Sequence, residues 1–174
     1  MKNLTVVSKP LVVLLFAVVL AACSNKEKEM AEAEAARQAA EAEKARMMAE
    51  QEAAEKRAMM AELEQAAAAA GNVFLFAFDS YTLSAEATAA LDAHIALLKT
   101  SDSRVRLEGH TDERGTREYN MALGERRANA VRDYMTINGI AGYRIETVSY
   151  GEEQPVAYGS GESNWAQNRR VELK

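Results

Sequence analysis

From Lys26 to Ala70 the chain runs 45 residues without a glycine or a proline, built almost wholly from Ala, Glu, Lys, Arg, Met and Gln. These are strong helix formers, and acid-before-base pairs such as Glu34–Arg37, Glu41–Lys44 and Glu52–Lys56 fall at helical spacing. Gly71-Asn72 supplies the stop. A continuous helix over this run would be roughly 65 Å long at 1.5 Å per residue. It lacks an apolar stripe, because Met47, Met48, Met59, Met60 and Leu63 recur near an eleven-residue period. The segment reads as a tether. Whether it is a solvated spacer or a weakly self-associating coil stays open.

What precedes the tether sets the compartment. Lys2 and Lys9 flank a short start, and Leu11 to Ala22 follows without a charge. That apolar stretch is too short to span a bilayer and suits a signal-peptide core. The chain's single cysteine, Cys23, comes directly after Leu20-Ala21-Ala22. A lone thiol in an exported protein has no internal disulfide partner. The sequence Leu-Ala-Ala-Cys is similar to a bacterial lipobox, which implies cleavage before Cys23 and acylation of that residue; an ordinary signal cut elsewhere is the alternative. Ser24, not Asp, would then be the second mature residue, which by the sorting rule of such lipoproteins implies the outer membrane. The organisation expected is a leader over 1–22, a lipidated start over 23–25, the tether over 26–70 and a globular domain over 71–174.

Net charge is −5, with acids and bases interspersed. No basic face is available to displace counterions from phosphates, so a nucleic-acid partner is not expected.

Within the domain, Asn72 to Phe78 is aromatic and β-branched and reads as a strand. Ser84 is placed to cap a helix carrying Ala87, Leu91, Ile95 and Leu98 on one face. Arg104 to Glu108 alternates, with Val105 and Leu107 inward. A second helix is expected from Arg117 to Asn138, ending at Gly139. Further strands are expected over Arg144 to Gly151 and Arg169 to Leu173, with a short turn near Trp165 between them. Strands alternating with helices, then two strands in succession, predict an α/β (α+β) fold: β-α-β-α-β-β, a mixed sheet with helices on one face.

The chemistry concentrates in EGHTDERGTREYN, Glu108 to Asn120. In the helix that follows, Leu123, Arg127 and Val131 are spaced four and four, so an arginine lies within the apolar stripe while Arg126 falls one position round. A guanidinium there needs an anionic partner or a route to the rim. Asp112 is expected just past a strand end, near the first turns of that helix. Two readings are open. Asp112 and Arg127 hold the ammonium and the carboxylate of a zwitterion, or they form an internal salt bridge that orders the loop.

GHTDERGTREYNMALGERRANAV, Gly109 to Val131, resembles the OmpA-like peptidoglycan-binding domain. The family's helix pattern Asn-x-x-Leu-Ser-x-x-Arg-Ala-x-x-Val falls on Asn120, Leu123, Gly124, Arg127, Ala128 and Val131, with Gly124 where many members have Ser. The resemblance runs from Val73 to Leu173 and includes FAFD, VSYGEEQP and WAQNRRVEL. It implies a domain that binds the peptide stem of peptidoglycan at the free amino-acid end of diaminopimelate. Asp112 and Arg127 would hold that group, Asp79 would contact it, and Thr111 and Asn120 would contact it or fix the loop. With the lipobox, it implies an outer-membrane lipoprotein facing the periplasm, tethering that membrane to the cell wall, with a periplasmic Tol-system protein as partner. A paralogue outside that system is the alternative.

An enzyme of the wall is the competing class. His110, Asp112 and Glu113 lack the three or four convergent donors of a metal site, and no nucleophile stands beside a matched base. No cofactor or metal is expected. His110 reads as structural, hydrogen-bonded at a strand end. Arg169 and Arg170 read as solvated or paired about an edge strand, and Trp165 as a lid over the small terminal core.

Overall fold

The computed structural model describes the backbone from residue 9 and the side chains from residue 26, both to residue 174. Residues 1–8 of the expected leader, the side chains of the rest of it and the side chain of Cys23, the expected lipidation site, lie outside the residues so described. The chain divides into two compact units, Met1–Glu55 and Lys56–Lys174, the division falling inside the first helix.

Helix α1 (Lys9–Ala70) contains the whole glycine-free run. Met30, Met47, Met48 and Met59 on it are exposed, as a helix without an apolar stripe requires. Its last turns belong to the second unit, where Ala67 is buried. Gly71, at φ 72°, ends the helix in the left-handed conformation glycine adopts without cost, and the His94 imidazole Nε2 donates to its carbonyl at 2.7 Å.

The domain continues as β1 (Val73–Leu75), α2 (Ala85–Leu98), β2 (Val105–His110), α3 (Arg117–Ile137), β3 (Ile145–Gly151), α4 (Glu162–Asn168) and β4 (Arg170–Leu173). The strands form one mixed sheet in the order β1-β4-β2-β3. β4 is antiparallel to both β1 and β2, and β2 is parallel to β3. The expected α/β architecture is present with one addition: α4 stands between the last two strands. β4 is interior, between β1 and β2, and not the edge strand the two arginines had suggested.

Alternation decides which face is covered. Phe74, Val171, Leu107 and Leu173 are buried partners along one face, closed by Leu91, Ile95 and Leu98 of α2 and Val131 and Met135 of α3. Arg106, Glu108, Arg170 and Glu172 alternate with them onto the other face. Ser84 caps α2 by accepting from the Ala87 N–H at 3.1 Å, and all four residues expected to face inward on that helix are buried.

β1 is shorter than expected. The strand ends at Leu75, Phe76 keeps one more backbone bond to the Arg169 carbonyl at 2.9 Å, and a turn over Ala77–Ser80, with Asp79 at φ 52°, then leads the chain away from the sheet.

Two glycines set how closely α3 approaches β2. A Cβ on Gly109 would fall on the carbonyl oxygen of Gly124, and one on Gly124 would fall on Ser149 Oγ. Ser149 Oγ donates to the Met121 carbonyl at 2.7 Å, so it occupies the space a side chain at 124 would need. The departure from Ser at position 124 therefore has a local cause. Helix and strand meet backbone to backbone, and this brings Arg127 beneath the end of β2.

Candidate functional site

The site is built where β2 ends. His110, Thr111 and Asp112 leave the strand and are all buried. Three residues later Gly115, at φ 111°, turns the chain toward α3. Thr116 caps that helix, accepting from the Tyr119 N–H at 3.2 Å. The turn after β1 closes the other side. Between them lies a cavity of about 200 Å³. Its lining includes Asp79, Thr111, Asp112, Asn120 and Arg127, so all five residues singled out in the domain come together there.

Asp112 and Arg127 do not pair with one another. The fully buried Arg127 spends its fork on backbone: Nε donates to the Ser80 carbonyl at 2.8 Å, Nη1 to His110 at 2.8 Å and Nη2 to Ala77 at 3.2 Å. Two of these carbonyls bracket Asp79, so the buried arginine holds the left-handed turn that presents that carboxylate. Burial pushes Arg127 down to about 10, so it stays charged at neutral pH. Of its five N–H donors, three are engaged and two remain.

Asp112 is gripped from two other sides. Its Oδ1 accepts from Arg114 N at 3.2 Å and Arg114 Nε at 3.1 Å; its Oδ2 accepts from Arg114 Nη2 at 2.6 Å and Arg169 Nη1 at 3.3 Å. Burial pushes its pKa up, but the hydrogen bonds from Arg114 and Arg169 outweigh that and hold it below the ordinary carboxylate value.

Residues 75–169 match the OmpA family. The chain belongs to the OmpA family. Over 111 residues it is 60% identical to the peptidoglycan-associated lipoprotein of Pseudomonas aeruginosa, covering 64% of this chain and 66% of that one. It is 59% identical over the same length to the protein of that name from Pseudomonas putida, covering 64% and 67%. The match thus spans about two thirds of the length of these curated relatives. The crystal structure of the peptidoglycan-associated lipoprotein from Burkholderia pseudomallei is similar at a TM-score of 0.58 and 45% identity, over 60% of this chain and 89% of that one.

In this OmpA-family domain the sequence left several site residues unmarked. Arg114, two positions past Asp112, is stacked between Phe78 and Trp165, its guanidinium carbon 3.9 and 4.1 Å from the two ring centroids. Trp165 thus lids Arg114, not the terminal core; its indole N–H donates to Glu113 at 3.1 Å. Arg169 is buried; it donates to the Phe76 carbonyl at 3.0 Å, to Asp112 and to Glu162. Of the two expectations for the Asn168-Arg169-Arg170 run, solvated or paired, Arg169 takes the second, but as a buried residue of the site and not as the flank of an edge strand. Tyr119 donates to Asp79 Oδ1, and Asn120 donates to Glu152 across the loop after β3.

His110 also departs from expectation. Neither ring nitrogen has a hydrogen-bond partner among the described residues; the buried ring stacks on Tyr150, centroids 5.5 Å apart. Burial, reinforced by the charge of Arg170, lowers its pKa to about 4, so the imidazole is neutral at physiological pH.

The electrostatics favour a ligand with both signs of charge. Three guanidiniums and two carboxylates line the cavity. Thr111 Oγ1, buried and lining the cavity, has no hydrogen-bond partner among the described residues. A buried hydroxyl left unpaired is costly unless something arrives to satisfy it.

Proposed function

We propose that the domain binds the peptide stem of peptidoglycan, seating the free amino-acid end of diaminopimelate in the cavity between Asp79, Asp112 and Arg127. The observation that carries this reading is the convergence of both charge signs and an unpaired buried hydroxyl, Thr111 Oγ1, in one cavity. The two free N–H groups of Arg127 take the carboxylate. Asp79, whose Oδ2 has no partner among the described residues, meets the ammonium from one side. Asp112 meets it from the other by yielding the partly exposed Arg114 while the buried Arg169 stays in place. Thr111 and Asn120 contact the ligand or hold the loop. The names carried by the relatives from Pseudomonas and Burkholderia support this ligand class.

With acylation at Cys23 the same chain would tether the outer membrane to the cell wall from the periplasmic side, with α1 as the spacer. Partnership with a periplasmic Tol-system protein is part of this proposal.

The test is co-sedimentation of the full chain with purified peptidoglycan, with diaminopimelate-containing stem peptide as competitor. Displacement by the peptide without release of muropeptides is the expected result. Retention that the peptide does not compete sinks the assignment of the cavity, and released muropeptides favour an enzyme.

A further inference from the structure

Arg114 lines the cavity and Arg126 lies outside it beside the lining residue Tyr119, and the two differ in what they are given to do. Arg114, between Phe78 and Trp165, has its charge met by Asp112. Arg126 lies on the exposed side of α3 between Tyr81 and Tyr119, its guanidinium carbon 5.9 and 5.6 Å from their ring centroids. Both rings are themselves about half exposed. Of the arginines on α3, Arg117 is paired with Glu153, Arg132 with Asp133, and Arg127 is spent on backbone carbonyls. Among the described residues Arg126 has no carboxylate within ion-pair distance.

Tyr119 joins this arginine to the site. It lines the cavity and donates its hydroxyl to Asp79. That hydrogen bond raises the phenol pKa, and the neighbouring Arg126 opposes the shift, so the charge acts on a group within the site. Aromatic faces beside a guanidinium limit its rotamers and leave its N–H edge free, the geometry that grips a carboxylate with two parallel bonds.

We infer that Arg126 forms an outer carboxylate subsite, reading an ionised carboxyl on the ligand residue next to the one seated in the cavity. This rests on the stem-peptide reading above. Tyr119 lines the cavity and Arg126 lies beside its ring, so a peptide whose zwitterionic end fills the cavity and whose next residue passes Tyr119 would meet this guanidinium. In a stem peptide that carboxyl has two sources: the α-carboxyl of the γ-linked glutamate before diaminopimelate, or the terminal carboxyl of the residue after it.

The experiment titrates the full chain and its Arg126→Gln variant with three forms of an Ala-γ-Glu-diaminopimelyl-Ala peptide. One has both carboxyls free, one has the glutamate α-carboxyl amidated, and one has the terminal carboxyl amidated. One amide should weaken wild-type binding roughly threefold to tenfold, the range of an exposed charge-assisted contact, and which amide does so identifies the source. In Arg126→Gln that penalty should vanish, with the melting temperature of the variant matching wild type. Tight wild-type binding indifferent to both amides, or an undiminished penalty in Arg126→Gln, overturns the outer subsite and leaves the cavity reading intact. Failure of wild type to bind any of the three overturns both.

Discussion

The Arg127 guanidinium donates to the His110 carbonyl at 2.8 Å, tying the middle of α3 to the last residue of β2. Because the same fork also holds the carbonyls of Ala77 and Ser80, one side chain fixes both walls of the cavity. Arg127→Lys keeps a charge but cannot span three acceptors. It should destabilise the domain by about 2–4 kcal/mol, since buried carbonyls lose their partners. Chemical denaturation measures this directly. A variant as stable as wild type would leave Arg127 with a ligand role only.

Asp79→Asn and Thr111→Val separate binding from folding. Asparagine tolerates the left-handed backbone at position 79 but lacks the charge, and valine replaces a hydroxyl that has no partner among the described residues. Each should lower stem-peptide affinity about tenfold with little change in melting temperature. Calorimetric titration beside thermal melting gives both quantities. Unchanged affinity in either variant removes that residue from the site.

Stability should depend on pH in two windows. The folded-state pKa of His110, about 4, lies below its ordinary 6.5, because the protein buries the neutral ring beside Arg170. Above 6.5 both folded and unfolded states are neutral there, and the residue adds no pH dependence. As pH falls from 6.5 to about 4 only the unfolded state gains the proton, so stability drops by at most about 3 kcal/mol. Below that, Asp112 and Glu172 take over: both are held under their ordinary values, and their stabilisation is lost as they protonate. His110→Gln should flatten the profile between 6.5 and 4 and leave the lower window. Denaturation midpoints across this range check it, and an unchanged slope would place the titration elsewhere.

The glycine contact predicts an asymmetric rescue. Gly109→Ala drives a methyl into the Gly124 carbonyl, backbone that cannot turn aside, and should cost about 3 kcal/mol or more. Gly124→Ala meets chiefly Ser149 Oγ, so adding Ser149→Ala should recover part of its loss. The same second change should do nothing for Gly109→Ala. A double-mutant cycle by urea denaturation distinguishes the two.

Cys23→Ala should release the chain from membranes or leave its leader uncut, read by fractionation and by the mass of the mature chain. A peptide of residues 26–70 should be helical and monomeric, since Met47, Met48, Met59, Met60 and Leu63 follow no heptad. Sedimentation as a defined dimer or trimer at micromolar concentration would favour the coil.

Local chemistry was enough to set much of this fold. The caps at Ser84 and Gly71, the inward face of α2 and the alternation about Leu107 follow from side-chain period and backbone preference, which act over a few residues. The arginine within the apolar stripe of α3 was visible for the same reason. The partners of the charged groups were not. Asp112 could be paired on paper with Arg127, yet it is held by Arg114, two residues away, and by Arg169, just before the neighbouring strand β4. Arg127 is satisfied by carbonyls, which every residue carries and no sequence pattern distinguishes. The end of β1, the interior place of β4 and the burial of Arg169 depend on long-range pairing between strands distant in the chain. Periodicity places a side chain on a face; only the packed structure decides which charge it meets there, because a buried guanidinium takes whatever acceptors the fold brings within hydrogen-bond reach.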